Sequence, residues 1–70
     1  MSKNQFREFK QGYWQAREGL NIARKNPSRA YIAGHDLGEE DILRRASERW
    51  SNSPDFKDEA ARLIEARRGR

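Results

Sequence analysis

Phe6, Phe9, Tyr13, Ala16, Leu20 and Ala23 recur at alternating intervals of three and four residues. That spacing puts all six on one face of an α-helix, the seam by which a helix packs on another helix. It predicts a first helix over about residues 2–25. The helix is expected to stop at Asn26-Pro27, because a residue before proline is pushed out of the α region. Pro27 can then open a second helix, where its missing N–H costs nothing.

A second seam follows in Tyr31, Gly34, Gly38, Ile42, Ala46 and Trp50, predicting a helix over about residues 28–50. Folding at Pro27 with antiparallel chains would set Leu20 against Gly34, Ala16 against Gly38 and Tyr13 against Ile42. The same register would set Ala23 against Tyr31, Phe9 against Ala46 and Phe6 against Trp50. A continuous or kinked second helix is expected. The alternative is a break at 34–38, with Gly34 ending one helix and Asp36 and Glu39 forming a capping box for the next. Ser53-Pro54-Asp55 signals a third helix over about 54–67, with Phe56, Ala60, Leu63 and Ile64 as its apolar face. The expected fold is therefore all-α, an antiparallel helical hairpin plus a short third C-terminal helix, in one small domain over residues 1–70.

Charge narrows the function. Hydrophobic residues make up 34% of the chain and charged residues 37%, a balance bordering on disorder, which the two seams argue against. Residues 1–30 hold seven Lys/Arg against two Glu, whereas residues 31–70 hold eight against nine Asp/Glu. A basic half points to a polyanionic partner. With no cysteine, there is no disulfide framework or thiolate metal site, which fits a reducing cytoplasm. No membrane-length apolar run and no signal-peptide core is present, so no membrane partner is expected.

Beside the first seam lies a basic stripe. Lys3, Lys10, Arg17 and Arg24 are each seven apart, and Arg7, Trp14 and Asn21 form a second heptad row on the same flank. Cations at helical spacing can follow successive phosphates, and an indole offers a base something to stack on. The plainer alternative is a solvated helix face, with Trp14 folded over the third helix. Gly12 and Gly19 fall on the opposite flank, clearing it for close approach by the third helix, a partner or an RNA backbone.

Enzyme constellations are thin. The single histidine, His35, adjoins Asp36, but neighbours on a helix do not face one another, so they form no catalytic dyad. Asp36, Glu39, Glu40 and Asp41 lack EF-hand spacing and read as helix-start or surface acids. No phosphate loop or nucleophile setting is found. No catalysis, metal or cofactor is expected. The Arg67-Arg68-Gly69-Arg70 tail is expected to fray and to add non-specific attraction to a polyanion.

Gly12-Tyr13 followed after five residues by Gly19, the Asn26-Pro27 joint, and Tyr31-Ile32-Ala33-Gly34-His35 together resemble the ribosome modulation factor family over about residues 6–45. That resemblance implies a small basic two-helix protein that binds the small ribosomal subunit and holds ribosomes inactive, often as dimers. It also implies that Tyr13 and the nearby basic residues contact the ribosome. The expected function is thus non-enzymatic RNA or ribosome binding through Lys3, Arg7, Lys10, Tyr13, Trp14, Arg17, Asn21 and Arg24. The alternative is a small regulatory module, of phage or mobile-element type, that docks on and inhibits a larger protein. DNA binding ranks third, since the joint at 26–28 suits antiparallel packing better than a crossed helix-turn-helix pair.

Overall fold

The computed structural model describes residues 2–22, 24–45 and 54–68. The fold is all-α, a hairpin of two closely packed helices with a short third helix against it. These are α1 (Lys3–Arg17), α2 (Arg29–Leu43) and α3 (Pro54–Arg68). The expectations placed on Ala23, Ala46, Trp50, the Ser53 cap and the tail at 69–70 lie outside the described residues.

α1 opens with a reciprocal capping box. The Gln5 backbone N–H donates to Ser2 Oγ at 3.1 Å, and the Ser2 N–H donates to Gln5 Oε1 at 3.0 Å. Its end comes eight residues earlier than the seam predicts. Gly19 takes the left-handed conformation (φ +82°), its N–H donates to the Ala16 carbonyl, and the Leu20 N–H donates to the Gln15 carbonyl, both at 2.9 Å. This is a Schellman stop, and glycine is the residue that adopts it without strain. Gly19 is therefore a helix terminator, and nothing packs where its side chain would be. Leu20, beyond the stop, is 52% exposed and does not extend the seam.

α2 begins at Ser28, whose hydroxyl accepts from the Tyr31 N–H at 3.1 Å. Pro27 lies just before this cap and not inside the helix. α2 runs through Gly34 and Gly38 without a break and ends at Leu43, short of the expected residue 50. Arg45 just after it is left-handed (φ 55°), and its N–H donates to the Ile42 carbonyl at 3.0 Å. Pro54 starts α3, with Asp55 in its first turn.

The register between α1 and α2 agrees with the seam pairing in setting Ala16 against Gly38 and differs from it at Gly34. A Cβ on Gly34 would lie 2.8 Å from the Phe9 carbonyl carbon, not against Leu20. A Cβ on Gly38 would lie 2.6 Å from the Tyr13 carbonyl oxygen and 2.7 Å from Ala16 Cβ, and one on Gly12 would lie 2.9 Å from the His35 nitrogen. The close approaches at Phe9–Gly34, Gly12–Tyr31 and Tyr13–Gly38 mark where the two helices cross. The displacement at Gly34 arises after the Gly19 stop, where residues 18–22 and 24–28 turn back along α1. On the way, the Leu20 carbonyl meets His35, Arg24 meets Glu8, and Ser28 hydrogen-bonds Glu8. α2 consequently starts beside Glu8.

Close backbone approach at Gly12 and Gly34 lets the rings do the rest of the packing. The core gathers Phe6, Phe9, Tyr13, Ala30, Ala33, Leu37, Phe56, Ala60 and Ile64. Phe56 of α3 meets Phe6, Phe9 and Tyr13 edge-on, with centroids 5.8, 5.6 and 5.2 Å away. Such edge contacts add about 0.5–1.5 kcal/mol each beyond burial. One phenylalanine thereby ties α3 to α1.

Candidate nucleic-acid interface

A cleft of about 520 Å³ along α1 is lined by Arg7, Lys10, Gln11, Trp14, Gln15 and Arg24. Successive turns of α1 supply the first five. Arg24 arrives from the return segment and not from a helix. Four of the eight residues singled out from the sequence therefore meet in one place: Arg7, Lys10, Trp14 and Arg24.

Each is positioned differently. Arg7 is exposed. Lys10 Nζ sits over the Phe6 ring, 4.7 Å from its centroid, a cation–π contact. Trp14 is half-buried, packed on the core and edge-on to Tyr13 at 5.3 Å. The Arg24 guanidinium lies 4.3 Å above the Tyr31 ring, 3.2 Å from Glu8 Oε1, and hydrogen-bonds Gln11. The Tyr31 hydroxyl donates to Gln15, which ties the cleft floor to α2.

Glu8 modulates the charge. The Ser28 hydroxyl bonded to it is the main cause holding its carboxyl below the ordinary range, burial opposes this, and Arg24 adds to the lowering. Glu8 is thus a firm carboxylate that offsets part of the Arg24 charge. Arg7 also lies within electrostatic reach of Glu8, and Lys10 rests over the Phe6 ring.

The other four residues lie elsewhere. Tyr13 is fully buried and its hydroxyl donates to Asp41, so it is a core residue that no RNA can reach, contrary to the expectation carried by the family resemblance. Lys3 is exposed in the first turn of α1, outside the cleft lining. Arg17 is half-buried at the last turn, also outside it. Asn21 lies past the Gly19 stop, in a separate hollow with Leu20, His35 and Glu39. The heptad ladder is cut because the helix ends before Asn21 and Arg24.

Glu8, Gln11 and Gln15 escaped the sequence reading. Their spacing of three and four beside the apolar seam was the available signal, a polar stripe on the flank where the return segment docks.

The chain matches no known protein family, no curated protein and no solved structure.

Proposed function

We propose that this protein is a small non-enzymatic RNA-binding protein whose target is single-stranded or ribosomal RNA in the cytoplasm. The observation that carries the reading is the convergence of Arg7, Lys10 and Arg24 around the half-buried indole of Trp14. Guanidinium and ammonium groups engage phosphates, and an indole face supports an unpaired base. Gln11 and Gln15 line the same cleft, their amide oxygens held by Arg24 and the Tyr31 hydroxyl. A ribosome-inactivating role of the kind suggested by the family resemblance is the narrower form of this proposal.

One observation favours a second reading, docking on a larger protein. Leu20, Ile22, Ile42 and Leu43 are exposed, Leu43 by 84%, and three of them line one hollow.

A tagged pull-down with and without ribonuclease separates the two. Recovery of ribosomes or RNA only without ribonuclease, and its loss in Arg7→Gln/Lys10→Gln, supports RNA binding. Nuclease-resistant recovery of a protein that survives those substitutions, but not Leu43→Ser, supports the alternative.

A further inference from the structure

We propose that His35, Glu39 and Asp36 form a binding site for a single borderline transition-metal ion, Zn²⁺ being the representative, with His35 ligating through Nδ1. This site lies outside the basic cleft and goes beyond the RNA-binding reading.

The argument begins with the imidazole. His35 is 3% exposed, and its Nε2 lies 2.7 Å from the Leu20 carbonyl oxygen. A carbonyl only accepts, so Nε2 must carry the proton. In the neutral ring this leaves a lone pair on Nδ1. Nδ1 is buried and has no hydrogen-bond partner among the described residues. It points at Glu39 Oε1, 2.8 Å away. Two lone-pair atoms at that distance repel unless a cation joins them, either a second ring proton, which makes the pair an ion pair, or a metal ion.

The neighbouring groups suit a metal ion in that role. His35 and Glu39 are four apart on α2 and share a face. The ligand atoms of His35, Asp36 and Glu39 all lie within 4.8 Å of one another. Zinc binds His nitrogen and carboxylate oxygen at about 2.0–2.2 Å, commonly with three protein ligands and one open position. Glu39 is exposed, so its carboxylate can turn to open the 2.8 Å contact to the wider spacing of tetrahedral ligands. A nitrogen donor favours zinc-like ions over Mg²⁺ and Ca²⁺, which take oxygen.

A second shell is also in place. The Leu20 carbonyl fixes the tautomer and ring orientation, as backbone carbonyls do for metal-bound histidines. Asp36 Oδ2 is ion-paired with Arg67 of α3, which orients the carboxylate and leaves its other oxygen as a donor. The ion would thus join α2 directly, and the return segment and α3 through these partners.

The test is calorimetric titration of the untagged full-length chain with ZnCl₂, alongside Glu39→Gln and His35→Gln. Histidine ¹⁵N shifts report which nitrogen binds, and circular dichroism checks folding. The chain has one histidine, so the NMR signal is unambiguous. The expected result is one Zn²⁺ per chain bound through Nδ1, a zinc-dependent rise in melting temperature, and affinity at least about tenfold weaker in Glu39→Gln. Glu39 is exposed, so that variant decides the matter even if His35→Gln fails to fold. No saturable binding below millimolar zinc, coordination through Nε2, unchanged affinity in Glu39→Gln, or an Nδ1 that stays protonated with zinc present would each overturn the proposal.

Discussion

The Tyr13 hydroxyl donates to Asp41 Oδ2 at 2.8 Å, across 28 residues of sequence and with both side chains buried. Removing the donor leaves a buried carboxylate with one partner fewer, a loss of about 1–3 kcal/mol. Tyr13→Phe should therefore lower the melting temperature while leaving RNA affinity unchanged below it. An affinity loss in the folded variant, measured by fluorescence anisotropy, would return Tyr13 to the interface.

Gly34 and Gly19 should fail for different reasons. An alanine at 34 meets the Phe9 backbone, which cannot move without shifting α1, so an overpacking cost of about 1–3 kcal/mol or more is expected. An alanine at 19 has open space but a left-handed backbone, strained by about 1–2 kcal/mol. Urea denaturation should rank both below the parent. Stability at parent level for Gly34→Ala would mean that the two helices do not cross there.

The basic cleft makes a graded prediction. Arg7→Gln with Lys10→Gln should weaken RNA binding and flatten the log–log salt dependence by about 0.7 for each single-strand phosphate no longer neutralised. Lys3→Gln, outside the cleft, should change the slope less. Trp14→Ala should lose about 1–3 kcal/mol of stacking per base with the slope nearly intact, and some stability too because Trp14 packs on the core. Affinity over a salt series, with circular dichroism for folding, measures all these variants. Identical slopes throughout would reduce the cleft to a solvated surface.

Glu8 gives a pH signature. Its carboxyl titrates lower in the folded chain than in the unfolded one, chiefly through the Ser28 hydroxyl and then Arg24. The unfolded chain therefore takes up its proton first as pH falls. The stabilisation is fully present above the ordinary carboxylate range and disappears as pH drops through the folded value. Glu8→Gln should have a lower melting temperature than the parent at neutral pH and a shallower decline in acid. Parallel melting curves across that range would show that Glu8 is uncoupled from folding.

Much of this fold is legible in residue spacing. Phe6, Phe9, Tyr13 and Ala16 are buried as the three–four pattern requires, and Pro54-Asp55 marks the start of α3. The pattern misled at Leu20, whose place in the seam outweighed the stop signal of Gly19 one residue earlier. Periodicity is a sum over many residues, whereas a helix end is decided by one left-handed backbone position. With α1 drawn too long, the register with α2 is displaced and Arg24 falls on a helix it does not belong to. Arg7, Lys10 and Trp14 can be read because local spacing sets their flank. The pairing of Arg24 with Glu8 cannot, because it depends on a chain reversal that no short window contains.

That reversal bears on how the chain reaches its folded state. Two helices joined by a tight turn can zip together outward from the turn, each contact enclosing a little more chain than the last. Here the turn at Gly19 is followed by residues 20–22 and 24–28 before α2 starts, and Ser28 at its N-cap is bonded back to Glu8. Loop-closure entropy must be given up before helix-to-helix contacts repay it, and Tyr13–Asp41 encloses 28 residues at once. Folding is then expected to be slower than for an up-and-down helix pair of equal stability, with the docking of Arg24 and Ser28 on Glu8 as the gating event.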